Sequence, residues 1–186
     1  MDVNRGHAYS AQWIYHQHFM PEPRLRPARP GDLAALTDLY NHYIVETPIT
    51  FDLQPWTPDE RRPWFDAHAD TGRHRLLVAE ADTRIIGYAC TSRFRPKAAY
   101  DTTVETSVYL HAGETGRGLG TALYRALFDA VRNEDIHRFV AGITLPNASS
   151  VALHARSGFR QIGLLTEVGR KFGRYWDVAW FERPAS

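Results

Sequence analysis

Four stretches of the chain have apolar residues three or four positions apart, which is the spacing of an amphipathic helix. The first stretch follows Pro30-Gly31-Asp32, and Leu36 and Leu39 share one side of it. The second starts at Thr57-Pro58-Asp59-Glu60, a capping box with proline at the first helical position. We expect this second helix to run to about Thr71.

Two more helices are expected in the second half of the chain. One runs from about Gly116 to about Asn133. Its apolar stripe consists of Leu119, Leu123, Leu127 and Val131. The other is short: it follows Asn147, a residue type that caps helix N-termini, and it ends at Gly158, a residue type that follows helix C-termini.

Short apolar runs, many of them alternating with polar residues, predict seven strands. A turn over residues 81–84 joins the second strand to the third. The seven strands are Leu25–Ala28, Leu76–Glu80, Ile85–Phe94, Thr103–Leu110, Phe139–Ile143, Phe159–Val168 and Tyr175–Phe181.

The elements follow the order strand, two helices, three strands, helix, strand, helix, two strands. Helical crossovers can build parallel strand pairs and hairpins build antiparallel pairs, so this order predicts an α/β fold with a mixed sheet flanked by helices. In this interpretation residues 24–186 form a single domain. Residues 1–23 show no clear period and predict an N-terminal extension that is poorly ordered or packed on a partner.

The composition excludes two classes of partner. The 186 residues are 44% hydrophobic and carry a formal net charge of +1. This is typical of a globular domain and lacks the basic surplus of a protein that binds nucleic acid. No apolar run approaches the roughly 20 residues needed to cross a bilayer. We therefore expect no nucleic-acid partner and no membrane partner.

Cysteine and histidine usage narrows the environment of the protein. The one cysteine, Cys90, excludes a disulfide framework and favours a reducing compartment, so the cytoplasm is the expected location. Cys90 lies among apolar residues, as a small core residue would. His16 and His18 stand two positions apart, but two histidines do not define a metal site, and we expect no bound metal.

A glycine-rich loop follows the strand Thr103–Leu110. It reads Thr115-Gly116-Arg117-Gly118-Leu119-Gly120 and leads directly into a predicted helix. Glycines let a ligand approach the backbone, and the free N–H groups at a helix start attract an anion. The spacing matches neither a P-loop nor a dinucleotide fingerprint. By itself the loop is either an anion site or a plain turn that starts a helix.

Two motifs in the right order resemble the GNAT acetyltransferase superfamily. The loop Thr115–Gly120 is similar to that family's Gln/Arg-x-x-Gly-x-Gly/Ala loop, with Thr115 in place of the usual Gln or Arg. The stretch Asn147–Phe159 is similar to its Asn-x-x-Ser-x-x-x-His/Tyr-x-x-x-Gly-Phe segment. The resemblance implies the GNAT fold, with a mixed and mostly antiparallel sheet, and acetyl-CoA as the acetyl donor.

Within this superfamily the chain resembles the phosphinothricin N-acetyltransferases over about residues 24–183. The similar stretches are Tyr40–Ile44, Ala99–Asp101, Thr103–Tyr109, Leu145–Asn147 and Trp176–Val178. The resemblance implies direct acetyl transfer to the amino group of a small amino-acid-like acceptor, of the phosphinothricin, methionine sulfone or methionine sulfoximine type. Members of the family are often dimers, so the resemblance also allows a homodimer.

The resemblance assigns residues to the donor. The loop from Thr115 to Thr121, which includes Gly116, Arg117, Gly118, Leu119 and Gly120, would hold the pyrophosphate of CoA on backbone N–H groups. Backbone groups of Val108, Tyr109 and Leu110 would pair with the pantetheine amides, as an added strand does. Asn147 would cap its helix and also bond to the pantetheine arm, and Ser150 would assist.

Two residues are candidates for the chemistry. Glu105 shares a strand face with Ser107 and Tyr109, and the resemblance makes it the base that takes the ammonium proton, directly or through a water. The residues alone also allow an ordinary solvated face at this point. His154 would relay a proton, although the residues alone equally allow a partly buried structural histidine.

Four residues are candidates for the acceptor pocket. Arg95 and Lys97 stand where the family has basic residues, which would hold a carboxylate or a phosphinate, although a solvated loop is the alternative. Phe51 and Tyr100 are candidate pocket walls. The stretch Gly169–Tyr175 departs from the family pattern, which leaves the exact acceptor open.

Two other functions fit the same motifs. One is acetylation of protein N-termini or of other amines. The other is a CoA-binding sensor that keeps the fold without the reaction. The presence of both Glu105 and His154 favours an enzyme over the sensor.

Overall fold

The structure is a computed structural model that describes residues 23–186. The predicted extension, with His16 and His18, lies outside the described residues except for Pro23. Within residues 23–186 the chain forms seven strands and four α-helices, in the order that the sequence predicts.

The bounds of these elements are as follows. The strands are β1 (Arg24–Pro27), β2 (Leu76–Ala81), β3 (Arg84–Arg93), β4 (Thr103–Leu110), β5 (Arg138–Thr144), β6 (Arg160–Lys171) and β7 (Arg174–Pro184). The helices are α1 (Leu33–Glu46), α2 (Pro58–Asp66), α3 (Leu119–Val131) and α4 (Ala148–Arg156).

Helix α2 begins with the predicted capping box, in which the side chain of Thr57 accepts from the N–H of Glu60. Its predicted end near Thr71 is wrong, because the helix ends at Asp66. The Nδ1 atom of His68 lies 2.8 Å from the carbonyl oxygen of Trp64, which a continuing helix would use for a backbone N–H. The imidazole therefore occupies the carbonyl oxygen that the next backbone N–H of a longer helix would use.

Helix α3 begins three residues later than predicted. Gly116 and Gly118 have φ angles of +75° and +83°, in the left-handed region. Such residues cannot belong to a right-handed helix, so the first helical residue is Leu119.

One seven-stranded sheet has the order β1-β2-β3-β4-β5-β7-β6. Every neighbouring pair is antiparallel except β4 and β5, which are parallel. The predicted mixed and mostly antiparallel sheet is therefore confirmed.

The two parallel strands separate after three residues. Thr103–Glu105 of β4 pair with Arg138–Val140 of β5, and the pairing stops there. On its other side β4 stays paired with β3 from Val104 to Leu110. The second half of β4 therefore has one paired edge and one edge that β5 does not cover.

Helices cover both faces of the sheet. Leu123 and Leu127 of α3 pack on Val104 and Phe139 on one face. On the other face, Leu36 and Leu39 of α1 pack in a cluster with Val78, Tyr88 and Cys90. Cys90 is only 2% exposed, which confirms its predicted place in the core.

Over residues 23–186, none of the helices has the length and apolar character required to cross a membrane.

Candidate active site

A groove of about 300 Å³ lies where β4 and β5 separate. Val108 and Leu110 line it from β4. The N–H of His111 donates to Ile86 of β3, and strand residues alternate in the edge that they face, so the backbones of Val108 and Leu110 face the groove. The same alternation directs the backbone of Tyr109 to β3. The strand edge can therefore pair with an extended ligand through Val108 and Leu110.

The glycine loop closes one end of the groove. Thr115, Gly116 and Gly118 line it, followed by the first turn of α3, Leu119–Thr121. Gly118 is the N-cap of α3, and no side chain caps the helix. The first N–H groups of α3 are therefore free to bind an anion.

Arg117 does not line this groove. Its guanidinium is exposed and lies 3.1 Å from the Glu114 carboxylate, which partly offsets its charge. Thr115, the residue that departs from the family motif, donates its hydroxyl to the Ala112 carbonyl at 3.1 Å. Thr115 therefore stabilises the turn itself, and anion binding is left to the backbone.

Helix α4 forms the opposite wall. The Oδ1 atom of Asn147 accepts from the N–H of Ser150 at 3.1 Å, which confirms the predicted N-cap. Both residues line the groove. Leu153 and Arg156, which the sequence did not single out, line the groove with Ser149. Their positions four and seven after Ser149 give the helical spacing that could have revealed them.

Tyr43 and Ile49 are two further wall residues that the sequence did not single out. The Tyr43 hydroxyl donates to the carbonyl of Leu110 at 2.6 Å, so α1 holds the end of β4 in place.

His154 lies beneath the groove and is only 3% exposed. Its Nδ1 is 2.8 Å from the carbonyl of Ser150, which can only accept, so Nδ1 carries the proton. The other ring nitrogen, Nε2, then accepts from the hydroxyl of Tyr124 at 2.8 Å. Burial lowers the pKa of His154, which keeps the imidazole neutral.

Tyr124 is a member of the site that the sequence did not reveal. It is completely buried in α3, and with Thr106, Ser107, Tyr109 and His154 it lines a small cavity of about 50 Å³. A phenol next to a leucine stripe gives no signal in sequence, because its partner His154 belongs to a different helix.

Glu105 is the last residue of β4 that pairs with β5. Its side chain is half-buried rather than solvated. Burial raises the pKa of this carboxyl group, and the positive charge of Arg95 partly opposes that rise. A carboxyl group with a raised pKa is a better proton acceptor than an ordinary glutamate.

Three of the predicted acceptor residues, Arg95, Lys97 and Tyr100, lie in one exposed segment between β3 and β4, and Phe51 lies against β6. Arg95 is exposed, and its guanidinium carbon lies 4.9 Å from the ring centre of Phe94 and 6.0 Å from that of Tyr100. Lys97 is exposed at the start of the short 3₁₀ turn Ala98–Tyr100. Phe51 packs so closely on Gly169 of β6 that a β-carbon there would overlap the ring. Among these four residues, only Arg95 has a charge that acts on the pKa of Glu105.

Within the part of the chain that the structure describes, no three His, Cys, Asp or Glu residues are grouped so that they could hold a metal ion.

Comparison with known proteins identifies the family. The family model described as "Acetyltransferase (GNAT) domain" matches residues 25–180. The chain therefore belongs to the GNAT acetyltransferase family, as its motifs predict. It is an enzyme of the N-acetyltransferase type, and its acetyl donor is acetyl-CoA.

The names of individual relatives state the acceptors of those proteins. The chain is 58% identical to a phosphinothricin N-acetyltransferase of Streptomyces coelicolor, over 88% of this chain and 96% of the relative. It is 35% identical to an L-methionine sulfoximine/L-methionine sulfone acetyltransferase of Pseudomonas paraeruginosa, over 85% of this chain and 92% of the relative. A Sinorhizobium meliloti phosphinothricin acetyltransferase in complex with AcCoA superimposes with a TM-score of 0.82 at 31% identity, covering 88% of this chain and 89% of that one.

If the uncapped N-terminus of α3 binds the pyrophosphate, blocking it should weaken the binding of CoA. Gly118→Val places a β-branched side chain at a left-handed position against the free N–H groups, so we expect CoA affinity to fall by about tenfold or more. Gly113→Val is the matched control. The φ angle of Gly113 is not left-handed, and there is open space around the position of an added β-carbon. Isothermal titration with CoA compares both variants with the wild type. An unchanged dissociation constant in folded Gly118→Val would contradict the assignment of the loop.

Proposed function

We propose that this enzyme acetylates the amino group of a small amino-acid-like acceptor of the phosphinothricin, methionine sulfone or methionine sulfoximine type. The observation that carries the proposal is the place of Glu105, half-buried where β4 and β5 separate, beside a groove with an uncapped helix N-terminus. The names of the relatives, phosphinothricin N-acetyltransferase and L-methionine sulfoximine/L-methionine sulfone acetyltransferase, support this acceptor class.

The donor lies along the groove in this proposal. The pantetheine arm adds to the free edge of β4 and pairs with Val108 and Leu110. The pyrophosphate lies on the N–H groups that follow Gly118, and the side chains of Asn147 and Ser150 bond to the pantetheine. CoA thus forms hydrogen bonds with the strand edge at Val108 and Leu110, which β5 leaves unpaired. It also bonds to the first N–H groups of α3, which no side chain caps.

The reaction needs two proton transfers. The ammonium group of the acceptor gives a proton to the Glu105 carboxylate, and the neutral amine attacks the thioester carbon. A C–N bond forms and the C–S bond breaks, and the second proton that the attacking nitrogen loses goes to the leaving thiolate. His154 accepts the hydrogen bond of Tyr124 beside the groove, so this pair is placed to hold and relay that proton.

The acceptor approaches on the side of Arg95 in this scheme. The positive charge of Arg95 acts on the pKa of Glu105, so the two side chains are close enough to share one acceptor. Arg95 binds the α-carboxylate of the acceptor, and Glu105 receives its ammonium group. Lys97 adds positive charge at the mouth, and Phe51 and Tyr100 form apolar walls.

We further propose that the enzyme works in the cytoplasm, without nucleic-acid or membrane partners. Cys90 keeps a free thiol in the core, in agreement with a reducing compartment. The formal net charge of +1 supplies no basic surplus for a phosphate backbone.

The role of Glu105 predicts a specific pH dependence. Burial raises its pKa, so the carboxylate becomes protonated, and inactive as a base, at a higher pH than an ordinary glutamate would. The acidic limb of kcat/KM should therefore lie above the usual glutamate range. Glu105→Gln should remove that limb and reduce kcat by about 100-fold or more, with CoA affinity unchanged.

Release of free CoA thiol measures this reaction. The acceptor panel contains phosphinothricin, methionine sulfone, N-terminal peptides and aminoglycosides. Full activity in Glu105→Gln would exclude it as the base. Turnover with peptides alone would replace the proposed acceptor, and CoA binding without turnover on any amine would indicate a sensor.

We also propose a homodimer in which a second copy covers β6. This strand forms one edge of the sheet, and Ile162, Leu164, Leu165 and Val168 on it are 46–53% exposed. An exposed apolar edge strand pairs readily with another chain, and a second copy presents the same self-complementary edge.

The dimer proposal predicts that charge on β6 dissociates the protein. Leu164→Glu combined with Val168→Glu should give a monomer in light scattering coupled to size exclusion, because two buried carboxylates would face each other. Val45→Glu, at an exposed apolar position on α1, is the control and should remain dimeric. A monomeric wild type, or a dimeric double variant, would contradict the proposal.

A further inference from the structure

A second cavity lies on the other face of β4, between α2 and the sheet. Its volume is about 200 Å³, several times the roughly 30 Å³ that one water molecule occupies in the liquid. We call it the α2 chamber; the residues that define it are Tyr40, Arg61, Trp64, Cys90, Ser107 and Tyr109. Neither the donor groove nor the predicted acceptor residues include it.

The chamber contains a buried cation. Arg61 is only 5% exposed, and its guanidinium lies 4.2 Å from the ring centre of Tyr40 and 4.0 Å from that of Trp64. It donates to the carbonyl of Leu36 at 2.5 Å and to the hydroxyl of Tyr88 at 3.0 Å. All of these partners are neutral.

No carboxylate neutralises Arg61 among the residues that the structure describes. Two carboxylates also line the chamber, but both are engaged elsewhere. Asp52 accepts from Tyr40 and Trp56 at 2.8 and 3.0 Å, and the exposed Glu60 closes the capping box with Thr57. A guanidinium has five N–H donors, and burying its charge without an anion is unfavourable. The Arg61 guanidinium therefore has N–H donors left in the chamber, and they can bind an anionic or strongly polar oxygen.

The chamber lies next to the proposed base. Ser92 of β3 stands directly opposite Glu105 of β4, and Ser92 is also part of the chamber wall. Directly opposed residues on one face have β-carbons about 5 Å apart. Ser107, two residues after Glu105 on the same face, continues the wall. A molecule whose ammonium reaches Glu105 can thus extend into the chamber from the side that CoA does not occupy.

We propose that the α2 chamber binds the side-chain end of the acceptor, and that Arg61 recognises oxygen atoms there, as in a phosphinate, a sulfone or a carboxylate. The inference rests on the proposed function, because it extends the acceptor site from Glu105. Arg61 selects acceptors with an oxygen-bearing end over those of equal length with an apolar end. Tyr40 and Trp64 hold the guanidinium in place and form the sides of the chamber.

Steady-state kinetics with two acceptors of similar length test the selection. One is L-methionine sulfone and the other is L-norleucine. In Arg61→Met we expect KM for the sulfone to rise by about 10- to 100-fold, the worth of a charge-assisted hydrogen bond, and KM for norleucine to change much less. Arg62→Met is the matched control, because Arg62 is the next residue of α2 and its side chain is 51% exposed.

A second measurement needs no variant. Cys90 is the one cysteine of the chain and part of the chamber wall, and burial raises the pKa of its thiol to about 11. Methyl methanethiosulfonate should therefore label it slowly. With S-ethyl-CoA present, which cannot transfer acetyl, methionine sulfone should slow the labelling further, and norleucine should do so less. Mass spectrometry measures the rate even if Arg61→Met does not fold.

The outcomes separate the two proposals. If the wild type acetylates neither amino acid, the proposed function fails, and labelling still reports whether the sulfone enters the chamber. If both are acetylated but Arg61→Met raises the two KM values equally, the Arg61 assignment is overturned. Labelling of Cys90 that saturating sulfone leaves unchanged would overturn the chamber as its binding site.

Discussion

The separation of β4 from β5 after Glu105 is the constraint on which the rest of this site depends. Had the two strands stayed paired, the backbones of Val108 and Leu110 would be satisfied within the sheet and no ligand could add to that edge. Because they separate, α4 and the glycine loop can stand on either side of the gap. The continuous pairing of β4 with β3 keeps the second half of β4 in the sheet while its other edge is free.

Burial then tunes the groups around this gap in opposite directions. It raises the pKa of Glu105 and lowers the pKa of His154, so both groups favour their uncharged forms more than they would in water. Glu105 becomes a stronger base, and His154 stays a neutral acceptor for the hydroxyl of Tyr124. On the other face of β4, Arg61 lies in an aromatic enclosure with no carboxylate partner among residues 23–186, and in our proposal a substrate oxygen binds to it there.

Much of this was predictable because it depends on local sequence. The capping box of α2 and the N-cap of α4 arise from residues within one turn of each other, and the order of the elements arises from the spacing of apolar residues within each element. The start of α3 was misplaced because spacing does not reveal the left-handed φ angles of Gly116 and Gly118. Tyr124 and Arg61 were missed because their partners lie 25 to 30 positions away in sequence, at His154, Leu36 and Tyr88.

The central claim is that CoA completes the free edge of β4 and the open N-terminus of α3. Amide hydrogen exchange with and without CoA measures it most directly, because it reports individual N–H groups. We expect slower exchange at Val108, Leu110 and the residues directly after Gly118, and unchanged exchange at Tyr109 because its N–H already faces β3. Unchanged exchange at Val108 and Leu110 in the CoA-saturated protein, or protection confined to other strands, would contradict it.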